Sequence, residues 1–484
     1  MNDGTDVRAR FGLVAGPLAL AAMLLTAPPE GMTIVAWRTA GVGALMAIWW
    51  ITEAIPIPAT ALLPIVLFPL LGIATITATT APYANEVIYL FLGGFLIAKA
   101  LESCGLHRRM ALTILRVVGT RPANLILGFM IATAFISMWV SNTATVVMML
   151  PMATSVIALA GGGDGDRSRS PGRAFDAALL LGVAYAASIG GLGTLIGTPP
   201  NALFAGFMRQ TYNVEIGFLD WMLVGVPLVV IALPFAWLLL TRLLYRLGSE
   251  PIAGGAAMLE KERLAIGPMS RAEWAVGTIT ALTAAAWITR PILDTWVPAL
   301  SDAGIAIVGA LLMFVVPLTV RPMRAALTWK EAEGLPWSVL ILFGGGLSLA
   351  AAIQQTGLSA WIGGALGALG GLPIFAVLLT VTAAIVLLSE LASNTATAAA
   401  FLPVAGALAL VIGADPVLLT LTTALAASGG FMLPVATPPN AIVYGTGALT
   451  VPAMVRAGIW LNIFFALLLP LAVYVLAGRV FSPT

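Results

Sequence analysis

Long apolar stretches alternate with short polar segments along the whole chain. Each stretch has about 18 or more residues, and a helix of that length crosses a bilayer core of roughly 30 Å. Proline, glycine and charged residues cluster between the stretches and mark their ends. We therefore predict an all-α polytopic membrane protein with about 11 transmembrane helices, at residues 11–27, 33–52, 56–73, 86–106, 174–210, 218–245, 272–290, 302–320, 336–354, 416–447 and 457–478.

Two further apolar regions, residues 122–160 and 372–412, contain a polar Ser-Asn-Thr sequence near their middle. Each region is long enough for two short helices, so we interpret both as re-entrant helical hairpins that enter and leave the membrane on one side. The positions of arginine and lysine support this interpretation, because most of them then fall on the cytoplasmic side. A full crossing at either hairpin would scatter them over both sides. The predicted topology places the N-terminus in the cytoplasm and the C-terminus outside.

The two halves of the chain repeat each other. Residues 137–151 (SMWVSNTATVVMMLP) match residues 389–403 (SELASNTATAAAFLP) at a constant offset. Each copy is followed by a Gly-Gly pair and then by Thr-Pro-Pro-Asn-Ala. Five predicted crossings separate the two hairpins. Since this number is odd, the two copies have opposite orientations, which is the inverted-topology repeat of secondary transporters.

The repeat predicts how the chain is divided. Each repeat holds one re-entrant hairpin and one helix that breaks at Thr-Pro-Pro-Asn, because proline lacks an N–H and disfavours helix in the residue before it. The predicted bounds are 1–32 for a first transmembrane helix, 33–247 for the first repeat (hairpin about 122–160, broken helix about 174–210), 248–271 for a cytoplasmic linker, and 272–484 for the second repeat (hairpin about 372–412, broken helix about 416–447).

Composition agrees with this pattern and disfavours other classes of protein. Of the 484 residues 60% are apolar and 9% are charged, and the mean hydropathy is +1.02. A soluble chain of this length would need more charge to cover its surface. The single cysteine, Cys104, excludes an internal disulfide, and the single histidine, His107, leaves no Cys/His metal site. An intramembrane enzyme with a Ser-His dyad is disfavoured, since His107 lies in a basic turn.

The broken segments offer a specific chemistry. Non-helical backbone is tolerated at membrane depth only inside the protein or beside a water-filled cavity. There, its carbonyls and the Ser, Thr and Asn oxygens can coordinate a hard cation such as sodium, and its free amides can bind a carboxylate. Arginine and lysine are absent from both motifs, so helix ends and co-bound cations would balance the charge of an anion. This favours sodium symport over sodium-free exchange, for which Lys99 is the one membrane-embedded cation available.

Glu390 lies beside the second Ser-Asn-Thr motif, and a carboxylate within a membrane segment is a functional candidate. The matching residue of the first copy is Met138, so the sequence offers no symmetric pair of proton carriers. We expect a structural or electrostatic role for Glu390, and proton transport stays open as the alternative.

The motifs resemble those of the divalent anion/sodium symporter family, which carries dicarboxylates, tricarboxylates or sulfate. The likeness covers nearly the whole chain and includes residues 49–73 (WWITEAIPIPATALLPIVLFPLLGI), both Ser-Asn-Thr motifs and both Pro-Pro-Asn segments. It implies a homodimer in which a transport domain moves elevator-fashion against a scaffold domain. By position, it implies a first sodium site at Ser137, Ser141, Asn142 and Gly197, and a second at Ser389, Ala392, Asn394 and Ala436. The implied substrate-binding residues are Asn142, Thr143, Thr198, Ser393, Asn394, Thr395, Thr437 and Pro438.

The expected function is sodium-coupled symport of dicarboxylates of the succinate, malate and fumarate class. Two similar motifs suit a ligand with a carboxylate at each end, and the bulky Pro438 argues against a third carboxylate. Sodium-free dicarboxylate exchange and symport of citrate or sulfate stay open as alternatives. We expect two or more co-transported sodium ions, no organic cofactor, a dianionic or trianionic carboxylate as substrate, a homodimer in the lipid bilayer of the bacterial plasma membrane, and no nucleic-acid partner.

Overall fold

The computed structural model describes residues 3–160, 171–245, 247–320, 323–365 and 371–481. In the first half, a 3₁₀ turn covers Ala81–Ala84, and the turns that follow the twelfth helix, Leu239–Leu244, are π-helical. The α-helices of this half are α1 (Asp3–Leu25), α2 (Ile34–Thr52), α3 (Ile57–Thr60), α4 (Leu63–Leu70), α5 (Ile76–Thr80), α6 (Glu86–Cys104), α7 (Leu106–Val118), α8 (Pro122–Ser137), α9 (Asn142–Ala160), α10 (Pro171–Gly191), α11 (Pro199–Tyr212) and α12 (Phe218–Leu238).

The second half contains helices of the same kind and one short β-ribbon. Its strands are β1 (Pro317–Val320) and β2 (Met323–Ala325), which pair in antiparallel fashion. Its helices are α13 (Gly255–Ile266), α14 (Arg271–Leu293), α15 (Asp302–Val315), α16 (Trp329–Ala332), α17 (Trp337–Gln355), α18 (Leu358–Ala365), α19 (Ile374–Ser389), α20 (Asn394–Val411), α21 (Pro416–Ala427), α22 (Pro438–Tyr444) and α23 (Val451–Val480).

The predicted helical membrane fold is confirmed. Ten helices among the described residues are long and apolar enough to cross a bilayer. Three of the predicted spans form shorter apolar helices instead, at Ile57–Leu70, Asp302–Val315 and Pro416–Ala427. The two motif regions form helix pairs, α8–α9 and α19–α20, that turn at residues 138–141 and 390–393. Whether these pairs re-enter the membrane on one side, and whether one domain moves past the other, stay predictions.

The predicted span 302–320 is wrong at its C-terminal end. Helix α15 stops at Val315, and the chain continues into the β-ribbon, so the fold is helical with one small sheet. Proline explains the change: the residue before a proline is disfavoured in the helical region, and Val316, which precedes Pro317, is extended at φ −71°, ψ 114°.

Helices α7 and α13 are the longest of the helices that were not predicted, and the shorter α5, α16 and α18 also lie outside the predicted spans. The span 86–106 ends at Cys104, because Gly105 adopts a positive φ of 78° and closes α6. Helix α7 then buries Leu106, Leu112 and Leu115 and leaves Arg108 and Arg116 exposed. Helix α13 lies inside the predicted linker 248–271. The linker packs back on the end of α7, where the N–H of Ile252 donates to the carbonyl of Thr120 at 3.0 Å.

Helix α10 lies at the centre of the molecule and α1 lies at its periphery. Of the apolar stretch of α10, 89% of residues are buried inside the protein, compared with 11% for α1. The residues that follow α10, from Leu192 to Thr198, are also buried. The first break is thus enclosed by protein, which is the condition under which non-helical backbone is tolerated in a membrane.

Candidate functional site

The turn between α8 and α9 brings several oxygens together. Ser137 ends α8 and Asn142 begins α9. The hydroxyl of Ser137 is fully buried and lies 2.6 Å from Oδ1 of Asn142 and 2.8 Å from the carbonyl oxygen of Ala187 on α10. A serine hydroxyl carries only one hydrogen. Two acceptors therefore face one donor, which leaves oxygen lone pairs available at this point.

The break between α10 and α11 lies against this turn. The side-chain amide of Asn201 donates to the carbonyls of Gly191 (3.0 Å) and Thr194 (2.8 Å), and these bonds fix the path of the break. The approach to the turn is close: a Cβ on Gly191 would lie 2.6 Å from Oδ1 of Asn142 and 3.2 Å from the carbonyl oxygen of Gly197. A side chain at residue 191 would therefore displace the side chain of Asn142. Three predicted sodium ligands, Ser137, Asn142 and Gly197, gather around Gly191.

The second half repeats this arrangement. The hydroxyl of Ser389 lies 3.0 Å from Oδ1 of Asn394 and 2.6 Å from the carbonyl oxygen of Ala427. The amide of Asn440 donates to the carbonyl of Leu433 at 3.0 Å and to that of Gly430 at 3.5 Å. The two halves therefore share the repeated sequence motifs and also the hydrogen bonds that these motifs form at the turns and breaks.

Gly430 is the counterpart of Gly191. A Cβ on it would lie 3.0 Å from Cβ of Ala436 and 3.2 Å from the carbonyl oxygen of Ser389. Ser389, Asn394 and Ala436 are thus brought together, as their counterparts are in the first half. The two remaining predicted ligands are neighbours of these clusters along the chain: Ser141 accepts a hydrogen bond from the N–H of Ala144 at 3.3 Å, and Ala392 is buried.

Buried oxygens without a hydrogen-bond partner recur in matched pairs. Buried polar atoms are nearly always paired in proteins, so each exception needs an explanation, such as a bound ion or water. Six side-chain oxygens in and beside the two sites have no partner among the described residues, and each occurs at equivalent positions of the two halves. They are Oδ1 of Asn201 and Asn440, Oγ1 of Thr145 and Thr397, and Oγ of Ser188 and Ser428.

The predicted substrate-binding residues occupy helix starts around these clusters. Asn142 and Asn394 are the first residues of α9 and α20, and their helices leave N–H groups free at that end. Thr198 and Thr437 are buried and immediately precede α11 and α22. The remaining members differ in accessibility: Ser393 is half-buried, Thr395 is buried, and Thr143 and Pro438 are exposed.

The two halves interlock around the site. Helix α22, which follows the second break, packs against α9 and α10 of the first half. Helix α11, which follows the first break, packs against α20 and α21 of the second half. One helix beside each turn, α9 or α20, therefore packs against the broken helix of the opposite half as well as against that of its own half.

Neutral oxygens dominate the site. Groups of three or more His, Cys, Asp or Glu that could hold a metal are absent from the described part of the chain. Carbonyl, hydroxyl and amide oxygens are the ligands that unwound transporter helices offer to sodium. Lys99, the cation considered for sodium-free exchange, forms an ion pair with Glu102 of its own helix at 3.1 Å.

Four residues of the site were given no binding or positioning role from the sequence: Gly191, Gly430, Asn201 and Asn440. The repeated Gly-Gly pair and the final Asn of each Thr-Pro-Pro-Asn were visible signals. The Thr-Pro-Pro-Asn sequences were interpreted as helix breaks, and the Gly-Gly pairs only as part of the repeat. The structure shows that the asparagine amides hydrogen-bond to carbonyls of the breaks and that the second glycine of each pair allows the turn to approach closely.

Glu390 lies at the second turn and accepts four hydrogen bonds. Its Oε1 accepts from the N–H groups of Phe431 (2.7 Å) and Met432 (2.9 Å) and from the amide of Asn462 (2.7 Å). Its Oε2 accepts from the N–H of Leu433 at 2.9 Å. The structural role expected from the sequence is thus present, since the carboxylate joins the second turn to the second break.

Comparisons with known proteins place the chain among transporters. The model of a family described as the sodium:sulfate symporter transmembrane region matches residues 9–481. The chain is 40% identical over 472 residues to the sodium-dependent dicarboxylate transporter SdcS of Staphylococcus aureus strain USA300, which covers 96% of this chain and 90% of that protein. SdcS of strain MRSA252 gives the same identity and coverage.

Two solved structures share the fold. The YdaH transporter of Alcanivorax borkumensis superposes with a TM-score of 0.57 at 17% identity, over 81% of this chain and 85% of that one. MtrF of Neisseria gonorrhoeae superposes with a TM-score of 0.55 at 12% identity, over 96% and 94%. At these identities the likeness concerns the fold alone.

Proposed function

Since the chain belongs to the sodium:sulfate symporter family, we propose that it is a sodium-coupled symporter of four-carbon dicarboxylates. The observation that carries this proposal is the doubled cluster of neutral oxygens, one at each turn, with no basic side chain in either motif. A dianion bound between two such clusters needs cations beside it. The relative SdcS, named as a sodium-dependent dicarboxylate transporter, supports sodium as the cation and a dicarboxylate as the substrate.

In this proposal one sodium ion binds in each half. The first is held by Ser137, Ser141, Asn142 and Gly197, and the second by Ser389, Ala392, Asn394 and Ala436. The two ions neutralise the dianion, and the hydroxyls and amides at the helix starts orient its carboxylates. The substrate contacts are Asn142, Thr143, Thr198, Ser393, Asn394, Thr395, Thr437 and Pro438.

The proposal includes the movement and placement of the protein. Two re-entrant hairpins and two broken helices form a transport domain, which carries the ligands across a plasma membrane in the elevator manner within a homodimer. The N-terminus lies in the cytoplasm and the C-terminus outside. The interlocked packing of α11 and α22 supports a single moving unit, because each broken helix is held by both halves.

Sulfate symport is the second candidate, since the matching family is described by that ion. A sulfate is small enough to use one motif. The two motifs are equivalent, and the helices beside each pack against the other half of the chain. This arrangement favours a ligand with a charge at each end, so we prefer a dicarboxylate to sulfate as the substrate.

Transport by purified protein in liposomes tests the function. Labelled succinate should accumulate when sodium is higher outside than inside, and should not accumulate in choline medium. Equal uptake in choline would contradict sodium coupling, and competition by sulfate but not by malate would favour the second candidate. Flux that requires internal dicarboxylate but no sodium would identify an exchanger.

Variants of the two helix-starting asparagines test the site. Asn142→Ala and Asn394→Ala should each reduce sodium-driven uptake by more than about tenfold, because each removes an oxygen that a cation and a hydroxyl share. Asn124→Ala is the matched control, since Asn124 is an exposed asparagine whose amide donates to the carbonyl of Val118 at 3.3 Å. Near-normal uptake by both site variants would refute the assigned site.

A further inference from the structure

The Glu390 carboxylate is enclosed by hydrogen-bond donors. The residue is 4% exposed, and three of its four partners are backbone N–H groups of consecutive residues, Phe431 to Leu433. The fourth is the amide of Asn462 on α23. An ionised carboxylate offers acceptors only, which matches this surrounding. Lysine and arginine make no ion pair with Glu390 within the part of the chain that the structure describes.

Glu390 and its three N–H donors both lie next to the oxygen cluster of the second half, which is formed by Ser389, Asn394 and Ala436. Glu390 directly follows Ser389, whose hydroxyl contacts Asn394 and Ala427. The three N–H donors directly follow Gly430 and precede Ala436 in the break. The carboxylate therefore fixes the distance between the turn that supplies Ser389 and the break that supplies Ala436. Without it, three buried N–H groups would lose their acceptor, which is costly inside a protein.

The first half makes the same connection without a charge. Met138 occupies the position of Glu390, and its carbonyl accepts a hydrogen bond from the hydroxyl of Thr194 at 2.5 Å. The side chain of Met138 packs on Gly193, where a Cβ would lie 2.7 Å from its methyl carbon. The first turn and break are thus joined by one neutral hydrogen bond and by packing. The two otherwise matched clusters differ in charge and in the number of bonds that hold them.

We propose that Glu390 is the positioning residue of the second sodium site and makes that site the tighter of the two. Three charge-assisted bonds join the turn to the break and a fourth joins the turn to α23, whereas one neutral bond joins turn and break in the first half. A negative charge that is buried beside the site also favours a cation, because opposite charges attract strongly in a low-dielectric interior. This inference rests on the proposed sodium coupling.

Sodium-dependent thermal stabilisation of the purified full-length protein tests the inference without transport. The midpoint of the sodium titration should rise about tenfold in Glu390→Gln, because the amide removes the charge and turns an N–H₂ towards the N–H donors. Glu390→Asp keeps the charge but is one methylene shorter, so its midpoint should fall between those of the wild type and Glu390→Gln. Glu102→Gln removes a carboxylate that is exposed and paired with Lys99, and its midpoint should equal that of the wild type.

The outcomes are separable. A folded Glu390→Gln protein that titrates with the wild-type midpoint would overturn the inference. If Glu390→Gln does not fold, Glu390→Asp decides: a raised midpoint supports the positioning role and an unchanged one refutes it. If Glu390 only stabilised the fold, its substitution would lower the melting temperature in the absence of sodium and leave the midpoint of the sodium titration unchanged. If the wild-type protein itself shows no response to sodium but does to potassium or choline, the proposed function fails rather than the role of Glu390.

Discussion

At the scale of single residues, the absence of a side chain at Gly191 allows the first turn and the first break to touch. A methyl group at residue 191 would meet Oδ1 of Asn142 at 2.6 Å and the carbonyl oxygen of Gly197 at 3.2 Å. Contacts shorter than about 3 Å force a neighbour to move, and overpacking of this kind typically costs about 1–3 kcal/mol. The neighbour that must move here is one of the proposed sodium ligands.

Gly191→Ala should therefore raise the sodium concentration needed for half-maximal uptake more than it lowers the melting temperature. Gly430→Ala should have a weaker effect, because its nearest contacts are longer, at 3.0 Å from Cβ of Ala436 and 3.2 Å from the carbonyl oxygen of Ser389. Gly364→Ala on α18 is the control, since no atom of the described residues lies within 4 Å of an added Cβ there. A larger sodium shift in Gly430→Ala than in Gly191→Ala would contradict this reasoning.

The sequence predicted which residues lie at the two turns, but it predicted the partners of only some of them. The spacing of Ser137 and Asn142 within one motif places them on either side of a turn, and their contact follows from that local geometry. The four donors around Glu390 come from residues 41 to 72 positions further along the chain. Such a contact depends on how α23 and the second break pack, which no local pattern encodes.

At the scale of helices, Arg109 connects the surface helix α7 to the start of α14. Its guanidinium donates to both carboxylate oxygens of Glu273, at 2.6 and 3.1 Å, and to the carbonyls of Gly267 and Pro268. Glu273 is 4% exposed and also accepts from the N–H of Ser270 in a capping box at the beginning of α14. Removal of the arginine would leave this carboxylate buried and without its cation.

Arg109→Gln should lower the free energy of unfolding by about 2–3 kcal/mol, because breaking one side of a largely buried pair leaves an uncompensated charge. The neighbouring Arg108 pairs with Glu262 on α13, and both side chains are substantially exposed. Arg108→Gln should therefore cost less than about 1 kcal/mol. Thermal unfolding in detergent measures the stability of both variants. Equal decreases in the free energy of unfolding would show that the burial of Glu273 does not determine the contribution of its ion pair.

Helices that cross the interior were easier to predict than helices on the surface. Long apolar runs such as α2 and α23 have a clear signal, whereas α7 and α13 are too short to cross a bilayer and their apolar residues are interrupted by charged ones. The β-ribbon after α15 was missed because apolar residues continue past Val315 into the strand, and the change at Pro317 depends on a single residue. Short elements are specified by caps and prolines more than by hydrophobic period.

At the scale of the whole molecule, the two repeats are interlocked. The helix after each break packs against helices of the other half. Helix α22 packs against α9 and α10, and α11 packs against α20 and α21. The ring of Tyr185 on α10 also meets that of Phe431 in the second break edge-on, with centroids 5.5 Å apart. Each site therefore uses residues of one half for its oxygens and residues of both halves for its packing.

This arrangement predicts the behaviour of a divided chain. The residues between α12 and α13 offer a place to cut, since no atom in the described part of the chain lies within 4 Å of a Cβ added at Gly248, and its neighbours Ser249 and Glu250 are exposed. Residues 1–248 and 249–484, expressed together as two chains, should copurify and retain a sodium-dependent rise in melting temperature. Each half expressed alone should show no such rise, although the first half contains every proposed ligand of the first sodium site, because α9 and α10 would lack α22 against them. A sodium response in the isolated first half would mean that the turn and break of one repeat suffice for a site and that the interlocked packing serves only to join the halves.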